Sequence, residues 1–183
     1  MFFQSEQRLI NKAKAGNKSA WFKLVAMHEQ TVYHYCLRML GNPDDAVDLL
    51  QEVFISVYRS LEGFRFDSSF KTWLIRIAHR RCVEFYRKRK VFDQSNESEL
   101  QLETCTNSCP ELSLQNKQHN QIVISALQTL SNDQRLVIEL KFFQYYTFEQ
   151  IAEQLLVSTN TIKSRFYAGL SNLKPVLEKY NDE

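Results

Sequence analysis

The sequence predicts an all-α protein in which a flexible polar linker joins two helical modules. Apolar residues recur with helical periodicity from about residue 4 to 89, and again from about residue 121 to 179. Between these stretches the chain turns rich in Ser, Asn, Gln and Glu, a composition typical of a tether. The 183 residues include only 4 Gly and 3 Pro, too few turn signals for an all-β fold. We therefore expect modules at residues 1–90 and 121–183, with an acidic linker at residues 91–120.

The formal net charge of +2 hides a strongly basic segment. Residues 71–90 carry 8 basic and 1 acidic side chains, whereas residues 91–120 carry 1 and 5. The rest is nearly balanced, with 8 and 8 in residues 1–70 and 6 and 7 in residues 121–183. Such a basic segment leaves four readings open: a membrane-surface helix, a peptide bound by another protein, a surface for nucleic acid, or an ordinary helix with a solvated basic face.

The sequence also gives expectations about the compartment of the protein and about its cysteines. No run of about 18 apolar residues occurs, and the N-terminal MFFQSEQRLINKAKAG has no signal-peptide core. We expect a cytoplasmic protein without direct membrane insertion. The four Cys are too few and scattered for a disulfide framework. Cys105 and Cys109, with His119 beyond them, leave a metal clip or redox pair open, although we expect incidental thiols.

The segment NPDDAVDLLQEVFISVYRSLEGF predicts a helix with two distinct faces. Asn42 suits the N-cap, Pro43 the first turn, and Asp44 the positive end of the helix dipole. The other face is either solvated charge or a docking face for a basic partner, because an outward Ile lies among its acidic residues. The predicted core stripe is Ala46, Leu50, Val53, Phe54, Val57 and Leu61. The opposite stripe is Asp45, Asp48, Glu52, Ile55 and Arg59.

Residues 70–90, FKTWLIRIAHRRCVEFYRKRK, predict a basic helix whose rings mostly face a core. Arg76, Arg80 and Arg87 fall on a separate face, where guanidinium groups can meet nucleic-acid phosphates. A solvated basic face remains the alternative, and a membrane-surface helix fits less well because the core needs the apolar face. The preceding loop EGFRFDSSF offers rings and small polar groups that can hold an unstacked base. The predicted core face is Phe70, Trp73, Leu74, Ile77, Ala78 and Phe85.

The segment TFEQIAEQLLVSTNTIKSRFYAGLSNLK is typical of a helix-turn-helix, with the turn at residues 156–158. Short polar side chains with cations at the edges, on the outer face of the second helix, suit base-edge reading between phosphate contacts. An ordinary helical hairpin has the same pattern, so the pattern alone leaves both readings open. The apolar faces are Phe148, Ile151, Ala152 and Leu155 on the first helix, and Ile162, Phe166, Leu170 and Leu173 on the second.

These motifs, in this order, resemble bacterial sigma factors of the extracytoplasmic-function (ECF) group. DAVDLLQEVF is similar to that family's polymerase-binding helix, and FKTWLIRIAHRRCVEFYRKRK to its promoter-melting and −10-reading segment. LQTLSNDQRLVIELKFFQYYTFEQIAEQLLVSTNTIKSRFYAGLSNLK is similar to its −35-reading domain. The similarity covers about residues 18–90 and 121–178. The resemblance implies two helical sigma domains, numbered two and four in the family, joined by a variable tether.

The resemblance also implies roles for matching positions. An acidic face would contact the clamp helices of the largest subunit of core RNA polymerase. The loop at residues 64–69 would receive a flipped −10 base, and the second helix of the helix-turn-helix would lie in the −35 major groove. The polymerase-binding residues are Asp45, Asp48, Gln51, Glu52 and Ile55. The −10 residues are Phe64, Arg65, Phe66, Asp67, Ser69, Lys71, Trp73, Arg76, Arg80 and Arg87. The −35 residues are Thr159, Asn160, Thr161, Lys163, Ser164, Arg165 and Tyr167.

The implied partners are core RNA polymerase (clamp helices and flap), promoter DNA and an anti-sigma factor, which can hold such a protein at the inner membrane. We expect no cofactor, no metal, no small-molecule substrate and no enzymatic activity. His28 and His34, for example, are spaced wrongly for a zinc site on a helix. The alternatives are a helix-turn-helix regulator that never contacts polymerase, and an interaction scaffold with an incidental basic face.

Three positions depart from the family pattern. Leu156 replaces the usual Gly of the helix-turn-helix turn, which would cost about 1 kcal/mol if the backbone there needs a positive φ. Residues 144–146 replace a Gly that commonly precedes TFEQIA. Residues 168–171 read AGLS where Arg-rich sequence is usual, which predicts a weaker −35 grip.

Overall fold

The computed structural model describes residues 2–95 and 114–181, and the side chains of residues 5–89 and 120–179. These residues are helical, without a β-strand among them, so the predicted all-α class is confirmed. The described residues form two compact units. One contains residues 2–36 and 44–95, and the other residues 37–43 and 114–181.

Four α-helices and a short 3₁₀ turn account for residues 2–95. They are α1 (Phe2–Lys14), α2 (Lys18–Leu40), α3 (Pro43–Ser60), the 3₁₀ turn (Leu61–Gly63) and α4 (Phe70–Ser95). The break predicted before Pro43 lies where expected, since Gly41 ends α2 with a φ of 79° and Pro43 begins α3. Such a left-handed residue is a common way to terminate a helix.

A second break between helices, at residues 15–17, was not predicted from the hydrophobic periodicity. Gly16 has a φ of 84°, and the Asn17 side-chain oxygen accepts the Ala20 N–H at 2.9 Å. Asn at this position caps the new helix, because it satisfies one of the first free N–H groups. The Gly-Asn pair was the sequence signal for this boundary.

The core of the first unit is apolar and draws on all four helices. Its fully buried members include Ile10, Leu24, Val32, Val53, Val57, Leu74 and Ile75. The helical wheels placed some residues wrongly: Leu49, Ile75 and Cys82 are buried, whereas Leu50, Phe54, Ile77 and Phe85 are only half-buried. A wheel assumes one flat neighbour, whereas these helices pack against several.

The second unit contains α5 (Leu114–Gln128), α6 (Asn132–Ile138), a π-helical turn (Glu139–Phe143), α7 (Phe148–Leu155) and α8 (Thr159–Asn181). α8 packs against α5, α6 and α7. Capping boxes fix two helix starts, because Ser131 pairs with Gln134 and Thr147 with Gln150. The core includes Leu140, Ile151, Ile162, Phe166 and Leu173.

The helices reach into the predicted linker from both sides. α4 continues through Ser95, and α5 begins at Leu114. Cys105 and Cys109 lie outside the described residues, and the side chain of His119 lies outside the described side chains. The module boundaries at residues 90 and 121 therefore stay a prediction.

Candidate protein and nucleic-acid interfaces

The outer face of α3 presents four of the five residues predicted to bind a partner protein. Asp48, Gln51, Glu52 and Ile55 are exposed, with Ile55 at 51%. Asp45 differs, because it is half-buried and its carboxylate lies 3.7 Å from the Arg89 guanidinium of α4. α3 thus combines an accessible acidic strip with an outward apolar side chain.

An apolar groove of about 750 Å³ adjoins this face. Phe22 and Tyr58 stand in it largely exposed, at 67% and 57%, and Trp21 packs its ring edge-on against Tyr58 at 5.1 Å. Gln51 and Ile55 belong to the groove and to the acidic strip, so the two surfaces are continuous. Sequence reasoning missed the groove because apolar residues occur on every side of α2, which hides the exposed ones.

The loop before α4 encloses a small cavity of about 290 Å³, near the lower end of the range for small-ligand sites. Phe64 is the buried centre of this loop, with ring centroids of Phe66 at 4.8 Å, Trp73 at 4.9 Å and Phe70 at 5.6 Å. Phe66 adopts a left-handed backbone with a φ of 62°. The cavity lining is Gly63, Phe64, Arg65, Asp67, Ser68, Trp73 and Arg76.

Aromatic and polar walls of this kind suit one unstacked base. Ser69, which we predicted to contact DNA, caps α4: its Oγ accepts the Thr72 N–H at 3.1 Å and lies 2.8 Å from the Thr72 hydroxyl. Ser69 therefore fixes where the loop ends and α4 begins. Phe66 is half-buried, because its ring packs within the loop against the ring of Phe64.

The predicted arginine row on α4 is accessible. Arg76, Arg80 and Arg87 are exposed, and Lys71 is half-buried near the start of the helix. Arg76 also lines the cavity, so the row begins at this cavity. Glu84, the one acidic residue of the basic segment, forms an ion pair with Arg81 at 2.7 Å. Arg76, Arg80 and Arg87 thus present exposed positive charge along α4.

The helix-turn-helix turn has the geometry that the sequence anticipated. Leu156 lies in the left-handed region, at φ 56° and ψ 41°, with its side chain 91% exposed. Ser158 then caps α8, because its Oγ accepts the Thr161 N–H at 3.1 Å and lies 2.8 Å from the Thr161 hydroxyl. Tyr145, at the second departure from the family pattern, is left-handed too, with a φ of 60°.

α8 presents most of its predicted base-reading residues to solvent. Asn160, Lys163, Ser164 and Tyr167 are exposed, whereas Thr159 and Thr161 are half-buried. Arg165 is half-buried too, and its guanidinium forms an ion pair with Asp133 of α6 at 2.6 Å. The sequence did not reveal this ion pair, because its members are distant along the chain.

The pKa of one carboxyl group near Lys163, that of Glu149, is shifted. The main-chain N–H of Glu149 and the Thr147 hydroxyl hold the pKa of the Glu149 carboxyl below its usual value, and Lys163 and Lys141 add to the effect. An anionic side chain in the first turn of α7 also complements the helix dipole. Glu149 therefore remains charged at neutral pH beside the cations of α8.

The position of Gly169 explains part of the difference between residues 168–171 and the Arg-rich sequence that is usual in the family. It is buried against α6, and a Cβ at this position would lie 2.8 Å from Ile138 Cδ1. A side chain at this interior-facing position would point towards α6 and would require the end of the Ile138 side chain to shift.

Among the side chains that the structure describes, no group of three or more His, Cys, Asp or Glu is arranged to hold a metal ion. His28 instead contacts Glu6, with His28 Nε2 and Glu6 Oε1 2.8 Å apart. No helix within the described ranges is long and apolar enough to cross a membrane.

Comparisons with known proteins agree with this geometry. A model of sigma-70 region 2 matches residues 24–91, and a model of sigma-70 region 4 matches residues 120–173. The ECF RNA polymerase sigma factor SigX of Bacillus subtilis is 30% identical over 164 residues, which cover 85% of this chain and 82% of SigX. SigW of the same organism is 27% identical over 179 residues (93% and 96% of the two chains). The ECF sigma-E factor of Escherichia coli is 29% identical over 173 residues (89% of each chain).

Two solved structures share the fold. One is the sigma factor RpoE in complex with the anti-sigma factor NepR from Bartonella quintana, with a TM-score of 0.71 and 23% identity over 85% of this chain and 95% of that one. The other is CnrH in complex with the cytosolic domain of CnrY, with a TM-score of 0.66 and 22% identity over 95% of this chain and 97% of that one.

The fold and the exposed surfaces define a two-module helical transcription protein with a helix-turn-helix. More narrowly, the chain belongs to the ECF family of RNA polymerase sigma factors. It is a transcription initiation factor that directs RNA polymerase to promoters, and a regulator independent of polymerase is not favoured. Sigma factors are non-enzymatic initiation factors.

Proposed function

We propose a division of labour among three surfaces of this sigma factor. The acidic strip of α3, Asp48, Gln51, Glu52 and Ile55, docks on the clamp helices of the largest subunit of core polymerase. The loop at residues 64–69 and the arginine row of α4 bind the −10 element. The outer face of α8 reads the −35 element.

The observation that carries the −10 assignment is the position of the cavity at the start of the arginine row. Arg76 belongs to both, so a strand whose phosphates follow the row can place an unpaired base in the aromatic loop. Stacking and hydrogen bonding of that base offset an unstacking cost of a few kcal/mol. Opening of the duplex then requires no covalent bond to be made or broken.

The test of the whole assignment is transcription in vitro. Purified protein is added to core polymerase with pooled genomic promoters, and the 5′ ends of transcripts are mapped. We expect start sites that depend on this protein and share −35 and −10 sequences. Start sites identical to those of core polymerase alone, with no co-purification of the two proteins, would contradict the proposal.

The polymerase-docking surface has its own test. Asp48→Arg reverses a charge at the centre of the acidic strip and should abolish core binding while the fold remains intact. Glu29→Arg is the matched control, because Glu29 is an exposed carboxylate on α2 outside the strip. Size-exclusion chromatography with core polymerase and far-UV circular dichroism measure the two effects. Unchanged binding of the Asp48 variant would move the interface elsewhere.

We also propose cytoplasmic action under an anti-sigma factor. The solved RpoE structure contains an anti-sigma factor, NepR. The apolar groove with Phe22 and Tyr58 is an exposed surface that such a protein can cover. A membrane-bound anti-sigma factor would hold the chain at the inner membrane. Affinity purification from membranes and from cytosol tests this, and recovery with polymerase alone in both fractions would argue against it.

A further inference from the structure

α1 lies outside the segment that the region 2 model matches, residues 24–91, yet it contacts the loop proposed to capture a base. Lys14, in the last turn of α1, donates from its ammonium to the main-chain carbonyl of Phe64 at 2.5 Å. The same ammonium lies 5.2 Å from the ring centroid of Phe66 and 5.9 Å from that of Phe64. The Lys14 side chain therefore contacts the loop through one charged hydrogen bond and two cation–π contacts.

The residues that Lys14 contacts, Phe64 and Phe66, belong to the loop that borders the cavity. Phe64 is one of its walls. Phe66, with a φ of 62°, has a backbone that a bulky residue keeps only where its surroundings hold it. Lys14 is half-buried, so its hydrogen bond is better protected from water than a surface contact would be. It does not line the cavity itself, and any effect on a bound base passes through Phe64 and Phe66.

We propose that Lys14 is a positioning residue for base capture: it holds the residue 64–66 backbone in the open, base-accepting form before DNA arrives. The inference rests on the proposed role of this loop at the −10 element. Binding to a pre-ordered site avoids the entropy cost of ordering the loop upon binding. Loss of Lys14 should therefore weaken recognition of the base rather than attachment to polymerase or to the DNA backbone.

The experiment uses holoenzyme reconstituted from core polymerase and the full chain. The probes are fluorescent fork-junction DNAs with a single-stranded −10 element, and the same DNAs with an abasic site at each single-stranded position in turn. Wild-type holoenzyme should prefer the intact probe at the position whose base enters the cavity. Lys14→Met should reduce that preference about tenfold, the order expected for loss of a charged hydrogen bond and a cation–π contact.

Two variants separate positioning from general effects. Lys12→Met removes the same charge from an exposed position on the same helix and should leave the preference unchanged. Lys14→Arg retains a donor and a cation over the rings and should restore most of it. Core affinity and the thermal midpoint are measured for every variant, and affinity for the best abasic probe should not depend on Lys14.

The outcomes distinguish this inference from the proposed function. A wild-type preference that Lys14→Met leaves intact would overturn the role of Lys14 alone. Equal weakening on intact and abasic probes, or no rescue by Lys14→Arg, would assign Lys14 to general stability or charge and overturn it too. A wild-type holoenzyme without preference at any position would remove base capture by this loop, and the positioning role with it.

Discussion

Leu156 sits in a left-handed conformation with its side chain 91% exposed, so little packing compensates for the backbone. A residue with a Cβ in this region costs about 1–2 kcal/mol more than in its preferred regions. Tyr145 has the same features, with a φ of 60° and 83% exposure. The two residues stand at or beside the positions where the family pattern has Gly. The resemblance thus pointed to strain at Leu156 on the condition of a positive φ, which the structure supplies.

We predict that Leu156→Gly raises the free energy of unfolding of the second unit by about 1 kcal/mol. Urea denaturation of the full chain, followed by tyrosine fluorescence and circular dichroism, measures it. Ala168→Gly is the control, because Ala168 is exposed within α8 and Gly in a helix interior should lower stability by about 1 kcal/mol. A loss of stability in both variants would mean that Leu156 makes a contact that outweighs its strain.

At the scale of elements, the helix types and most boundaries were predictable, because capping residues and glycines announce them locally. Pro43 begins α3 and Thr159 begins α8, as the sequence indicated, and Thr147 caps α7. Contacts between helices were not predictable. The Arg165–Asp133 pair and the close approach at Gly169 join α8 to α6, and neither leaves a trace in local periodicity.

The Arg165–Asp133 pair leads to a prediction about −35 binding. Asp133→Asn removes the ion pair, so Arg165 becomes available to a phosphate and a nearby negative charge disappears. We expect affinity of the holoenzyme for −35 DNA to rise by up to about fivefold, the range of an exposed ion pair. The salt dependence, as the slope of log K against log salt, should steepen by about one unit.

Fluorescence anisotropy on a −35 duplex at several salt concentrations gives both quantities. Glu178→Gln is the matched control: it removes one negative charge from an exposed ion pair near the end of α8, with Lys174 at 3.8 Å. The Glu178 variant should change the affinity and the salt slope by less than the Asp133 variant does. A fall in affinity for the Asp133 variant would show that the ion pair orients Arg165 for DNA instead of withholding it.

At the scale of the whole molecule, acidic and basic side chains concentrate on different helices. The acidic strip lies on α3, and the surplus of cations lies in residues 71–90. This separation could be counted from the sequence, but the cavity beside Arg76 and the groove beside Ile55 could not. The groove lies between helices that are distant along the chain, and the cavity depends on how residues 63–76 fold back on themselves. One-dimensional patterns record neither arrangement.

The arginine row supplies the last prediction. Arg80 is exposed in its middle, where a guanidinium can meet a phosphate of the melted region. Arg80→Ala should slow promoter opening and reduce the magnitude of the salt slope of open-complex formation by about 0.7–0.9, the share of one phosphate contact. Permanganate footprinting of unpaired thymines at several salt concentrations measures both. Lys23→Ala, which removes an exposed cation from α2, should leave the slope unchanged, because a cation far from the DNA releases no condensed counterions. Equal slopes for the two variants would mean that the strand follows a path other than the arginine row.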